Sequence, residues 1–209
     1  MQPHTGNARA PGWVERIENE ERLESLSDPV QRGLRKAFGK PAGRSLWSFL
    51  RGDWMGHPLH PALTDIPIGT WTAATIFDVA SLLGYRHLAT AARASVAVGV
   101  AGAVGAAITG LADWAGTEGR SQRVGVVHAG LNSLALGLQI ASLARRYSGT
   151  GSGRLLSGLA LVVAGASAYL GGKLVYQLGT RVAARREAGA YSGRAMGEPY
   201  GAHLPGDLQ

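Results

Sequence analysis

The 209-residue sequence contains no cysteine. That excludes disulfides, thiolate zinc sites, cysteine nucleophiles and Cys-ligated iron–sulfur clusters. Charge is scarce, with only 17% of residues Asp, Glu, Lys or Arg, and aromatic residues make up 7%. The signatures of hydrolytic and phosphate-transfer chemistry are missing: no GxSxG, no HExxH and no GxxxxGK[ST]. No basic stretch followed by an apolar one opens the chain, so no cleavable signal peptide is expected. No internal repeat is evident.

What is present is unevenly placed. A mean hydropathy of +0.02 resembles that of a soluble protein. Yet Ala94–Ala112, Val124–Ala144 and Leu155–Gly172 each run from end to end without a charge. Ala62–Gly84 is of similar length and carries only the two acids Asp65 and Asp78. Runs of this length read as membrane-crossing helices. The expected fold is therefore all-α: a four-helix transmembrane bundle with amphipathic interfacial helices at the N-terminus. Three regions follow: residues 1–51 as a polar and amphipathic cytoplasmic segment, 52–180 as the four-span membrane domain, and 181–209 as a basic, disordered tail.

Within the first region, Trp13–Leu26 has helical spacing of apolar residues with acids opposite. Asp28-Pro29 reads as a cap and first position of a second helix, Val30–Gly39. Lys40-Pro-Ala-Gly43 breaks it before the aromatic segment Ser45–Leu50. Such helices lie on a membrane surface or pack on the protein's own bundle; both need the same amphipathic pattern.

With four spans, 16 of the 21 basic residues fall on the side that holds both termini. The bias places both termini in the cytoplasm of a multi-pass membrane protein. The net charge of +7 is thereby explained by anionic lipid and calls for no nucleic-acid partner. The expected partners are lipid, other membrane proteins or further copies of the chain. Stripes of small residues predict close helix approach: Ala129/Ser133/Gly137/Ala141, Gly102/Ala106/Gly110 and Ala164/Ala168/Gly172. Pro67 should kink the first span and free the Leu63 carbonyl.

Four-span topology also gathers the unusual residues. His57, His60 and Asp65 open the first span. Asp113 and Trp114 close the second. His128 lies near the start of the third, and Gly171, Gly172, Lys173 and Tyr176 close the fourth. All converge on the cytoplasmic end, leaving Asp78, His87 and loop arginines at the other. Three readings of His60 with His128 stand side by side. They are axial ligands of a b-type haem, or metal ligands together with His57, Asp65 or Asp113, or helix-capping residues bonded to backbone. Pro58 and Pro61 make the His57–His60 stretch an extended turn rather than one helical face. His60 and His128 should approach each other, with Asp113 and Tyr176 nearby.

The stretch GDWMGHPLHPALTDIPIGTWTAATIFD at 52–78 resembles a bacterial membrane family known as domain of unknown function 2231. The matching features are His60-Pro61, Pro67, Asp78, Asp113-Trp114, His128 and Gly171-Gly172-Lys173-Leu174-Val175-Tyr176, in order, over about residues 44–182. The resemblance implies four membrane helices. Some members continue into a Rieske-type iron–sulfur domain, which implies electron transfer; with no cysteine, this chain cannot hold that cluster itself. Three positions depart from the pattern: Asp65 stands where many members have a second His, Lys173 where an acid is usual, and Leu178 where a His is usual.

The leading expectation is a non-enzymatic membrane component in or beside a redox or respiratory assembly. The alternative is an electron-transfer protein holding haem b or a metal ion through His60 and His128. The third is a small transporter or channel using Asp65, Asp78 and Arg93.

Overall fold

The computed structural model describes residues 11–38, 41–149 and 153–181. Seven α-helices account for most of them: α1 (Gly12–Asn19), α2 (Arg22–Phe38), α3 (Pro41–Leu50), α4 (Leu59–Leu82), α5 (Leu88–Trp114), α6 (Gly119–Tyr147) and α7 (Gly153–Tyr176). A 3₁₀ turn, Asp53–Met55, joins α3 to α4. No strand occurs among the described residues.

Three of the helices, α5, α6 and α7, are long and apolar enough to cross a membrane. Each carries apolar side chains on its outside, such as Val98, Ile108, Leu134, Ile140, Leu159 and Val162. Helix α4 contains Pro67 and carries Asp65, Asp78 and four threonines. It nevertheless pairs with α5 along its length, as α6 pairs with α7. The two hairpins then pack together through α5 on α6 and α4 on α7.

Helix α4 runs through Pro67 without a break. The proline is buried, and Gly102 of α5 lies against it: a Cβ there would meet Pro67 Cδ at 3.2 Å. Of the three small-residue stripes, Gly102/Ala106/Gly110 does pack inward, as the contacts of its glycines show. Ala129, Ser133, Gly137 and Ala141 are all exposed on the outside of α6, contrary to the expectation that they pack the bundle. On α7 the inward row is Ala160, Ala164, Ser167 and Leu170 rather than Ala164/Ala168/Gly172, since Ala168 is exposed.

The burial pattern reveals a repeat that the residues conceal. In α5 the buried positions include Ala92, Val96, Gly99, Ala106, Thr109 and Ala112. At one constant offset in numbering, α7 buries Gly153, Ser157, Ala160, Ser167, Leu170 and Lys173. Pro67, Trp71 and Ala74 of α4 correspond in the same manner to Ala135, Gln139 and Ser142 of α6. None of these buried pairs is identical, and the few identities at the same offsets, such as His60/His128 and Gly110/Gly171, are too sparse to mark a repeat in the letters. The α4–α5 and α6–α7 hairpins nonetheless bury the same faces.

The N-terminal helices pack on the protein. Val14 of α1 is fully buried against Val124 and Leu170, with Ile17 beside them. Trp13 packs on Tyr169 with ring centres 5.8 Å apart. Helix α2 continues through Asp28-Pro29, where the sequence suggested a helix start; the break falls instead at Glu20–Glu21. Tertiary bonds explain this. Gln122 donates to Ser27 Oγ (2.9 Å) and Asp28 Oδ1 (2.7 Å), holding that stretch in place. Gln31 and Arg35 then donate to carbonyls of the α5–α6 connection: Gln31 to Trp114 (2.9 Å) and Thr117 (3.1 Å), Arg35 to Ala115 (2.9 Å). Helix α3 differs, keeping Leu46, Phe49 and nearby Trp54 exposed. The tail expected at 181–209 lies, beyond Arg181, outside the described residues, as do residues 1–10.

Candidate functional site

His60 lies in the first turn of α4, and His128 in the third turn of α6. Their ring centres are 6.2 Å apart with the planes at 89°. The two are mounted in the same way. His60 Nδ1 stands 2.8 Å from the Ala106 carbonyl of α5, and His128 Nδ1 stands 2.8 Å from the Ser167 carbonyl of α7. A carbonyl can only accept, so each Nδ1 carries the proton and each Nε2 is left as the acceptor atom. A glycine lies against each ring. A Cβ on Gly110 would meet His60 at 2.8 Å, and one on Gly171 would meet His128 at 3.0 Å. Ala106 and Gly110 correspond to Ser167 and Gly171 in the repeat, as His60 does to His128.

The surroundings of the two rings differ. Asn132, one turn on from His128, brings its amide to His128 Nε2 at 3.0 Å. The Ser167 hydroxyl sits 3.0 Å from His128 Nδ1 and donates to the His128 carbonyl. At the corresponding position in α4, Thr64 turns its hydroxyl back to the Pro61 carbonyl. His60 Nε2 therefore has no hydrogen-bond partner among the described residues.

The other expected members of the site go elsewhere. Asp113 stands 3.0 Å from Arg181 Nε, in ion-pair contact though off hydrogen-bond alignment. Tyr176 is 88% exposed. It lies five positions past Gly171, about 140° around the helix at 3.6 residues per turn, so it cannot join the face that touches His128. Gly172 lies beside the Tyr176 ring instead. His57 is exposed with Nδ1 near the Pro58 carbonyl, and Asp65 is exposed on α4. Pro61 sits in the first turn of α4 and supplies the carbonyl that holds Thr64. Trp114 donates to the Gln122 carbonyl (3.1 Å) and packs on Gly125, closing the α5–α6 connection. No group of three or more His, Asp or Glu side chains arranged for a metal occurs among the described residues. The metal set of His57, His60, Asp65, Asp113 and His128 is thus not assembled; only the two imidazoles meet.

Asp78, at the opposite end of α4, is 5% exposed and binds Arg146, with Arg154 at 3.5 Å. Arg93 lies over the Tyr147 ring at 5.0 Å. Asp65, Asp78 and Arg93 do not form one path.

Several structural residues escaped the sequence reading. Lys173 is buried against Glu18 of α1 at 3.0 Å, and Arg123 binds Glu24. A lysine in the middle of the resembling motif was the available signal; its partner lies near the other end of the chain and carries none. Gln139 did not escape it: a polar residue in an apolar span is expected to bond between helices, and it exchanges hydrogen bonds with Ser157 within the second hairpin.

No curated protein and no solved structure matches the chain. Residues 56–184 match the family model described as "Predicted membrane protein (DUF2231)". That span takes in α4 to α7, with both histidines, both glycines and the Asp78 pair. The chain therefore belongs to the DUF2231 family of predicted membrane proteins.

Proposed function

We propose that the chain is a non-enzymatic component of the bacterial inner membrane, in or beside a redox assembly. In this reading α4 to α7 form a four-span transmembrane bundle with both termini in the cytoplasm. The observation that carries it is the pair of facing imidazoles. Both are anchored to backbone, and the one hydroxyl beside them, that of Ser167, is itself committed to the His128 carbonyl. Such a pair suits holding a ligand or tying helices together rather than turnover. Support for the fourth span comes from the pairing of α4 with α5 along their lengths. Support for the orientation comes from the basic residues. Lipid covers the outer apolar side chains, and other membrane proteins or further copies are the remaining partners.

Two measurements test this. A reporter enzyme active only in the periplasm, fused after Gln209, should be silent; activity there would overturn the topology. Tagged protein extracted at native levels in mild detergent should migrate with a complex containing redox cofactors. Migration with no such partner would overturn the redox role.

A further inference from the structure

The residues that meet between the two hairpins occupy equivalent positions. His60 faces His128, and Asp78 binds Arg146; the same shift along the chain relates both pairs. Equivalent positions meet face to face when a two-fold axis runs between α4 and α6. The two meeting points lie about 27 Å apart along α4 at 1.5 Å per residue.

Packing along this axis is uneven. The pairs Ala74/Ser142, Trp71/Gln139 and Pro67/Ala135 are buried. The next two, Thr64/Asn132 and His60/His128, are only half-buried. Close packing therefore stops one turn above the imidazoles.

We propose that His60 and His128 are the two axial ligands of one haem seated on this axis, one imidazole from each hairpin. This rests on the bundle reading above and names the ligand of its central site. Four observations carry it. First, both Nδ1–H groups donate to backbone carbonyls, which orients a ring and raises the basicity of Nε2, as around metal-bound histidines. Second, the spacing fits. Two metal–nitrogen bonds of about 2.0–2.1 Å on opposite sides of one ion, each extended by about 1.1 Å to the ring centre, would put the centres about 6.2–6.4 Å apart; the observed separation is 6.2 Å. Third, only two protein donors meet. A bare zinc ion needs four ligands, and no third His, Asp or Glu joins the pair among the described residues. Haem iron needs two, because the porphyrin supplies the rest. Fourth, His60 Nε2 has no hydrogen-bond partner among the described residues and is not sealed off from its surroundings, so it is open to a ligand. Asn132 fills the corresponding role at His128 and gives way when iron binds.

The test is a haemin titration of the purified full chain in detergent. The expected result is a Soret band saturating at one haem per chain, with a low-spin ferric spectrum of two nitrogen ligands. His60→Ala and His128→Ala should each lose the low-spin form and weaken haem binding at least tenfold. Folded wild-type protein that takes up no haem would overturn the proposal. So would alanine variants that bind haem unchanged, or protein isolated with stoichiometric copper or zinc and no haem. If the alanine variants do not fold, the ferric spin state of wild type and of Asn132→Leu, which keeps both imidazoles, decides. Low spin at one haem per chain supports the site, and high spin overturns it. A silent periplasmic reporter with no Soret band rejects the haem site alone; an active reporter rejects the topology whatever the spectrum.

Discussion

Lys173 is 6% exposed near the end of α7, with its ammonium 3.0 Å from Glu18 of α1. Glu18 is itself largely covered, at 13% side-chain exposure. A lysine close to a span end would ordinarily extend its stem toward water; here α1 covers it and provides the countercharge. Removing one partner leaves the other as an uncompensated buried charge, which costs about 3–5 kcal/mol. Lys173→Met should destabilise the protein by about that amount. The double variant Glu18→Gln/Lys173→Met should lose less than the single one. Denaturation in detergent followed by circular dichroism reads both, and equal losses would show that the ion pair contributes nothing. The same scale shows how far the imidazoles could be read from sequence. That His60 and His128 meet follows from counting residues to one end of the bundle. Which groups bond them did not follow. The reading of backbone-bonded histidines describes the Nδ1 contacts, but not which carbonyls: those of Ala106 and Ser167, with the Asn132 amide on His128, stand where a carboxylate or phenol was also expected. Backbone carbonyls have no side-chain signature, so nothing in the letters marked them.

Elements meet at charged joints. Between α3 and α4 the chain turns at Gly52, whose φ of +72° belongs to the left-handed region. A Cβ there would lie 2.7 Å from the Leu59 nitrogen, so only glycine serves. Asp53 follows it and accepts from Arg181, beyond α7, at 2.9 Å. Burial pushes the Asp53 carboxyl up. The hydrogen bonds from Arg181 and Ser48 and the charges of Arg181 and Arg51 outweigh that and hold it below its ordinary value. A carboxyl depressed in the folded state adds stability above its unfolded pKa of about 3.9. That contribution is lost as pH falls through the lower folded value. The α3–α4 joint should therefore loosen below about pH 4. Hydrogen exchange at residues 51–56 should rise on moving from pH 6 to pH 3, after correction for the intrinsic rate. In Asp53→Asn that rise should be absent; an equal rise in the variant would exclude this carboxyl as the cause.

At the scale of the whole molecule, the two hairpins meet at one end where the imidazoles face each other, each bonded within its own hairpin, and are tied at the other by Asp78 with Arg146 and Arg154. The charged pair makes the repeat asymmetric where the histidines keep it symmetric. Two copies of the first hairpin would set Asp against Asp, and two of the second Arg against Arg. The pair thus favours association of unlike halves. Both side chains are 8% exposed. Breaking the pair by Asp78→Asn should cost about 3–5 kcal/mol. The swap Asp78→Arg/Arg146→Asp should recover part of that loss if the charges act mainly on each other. Thermal unfolding of the three proteins in one detergent checks this. A swap less stable than Asp78→Asn would show that Arg154 and the local helix environment dominate.

The sequence by itself determined the helical class, the apolar helices, the membrane setting and the end of the molecule at which the histidines gather. These depend on hydropathy and on rise per residue, both local properties. Only the tertiary structure decided what covers α1 and α2. An amphipathic face specifies that something apolar lies against it, not whether that is lipid or the protein's own Val124 and Leu170. The same applies to the small residues, which permit close approach on either side of a helix: those of α5 pack inward and those of α6 face outward. The repeat became visible only in three dimensions for a related reason. Close packing constrains volume and position rather than identity, so Val96 and Ser157, or Ala112 and Lys173, can hold equivalent buried places without resembling each other.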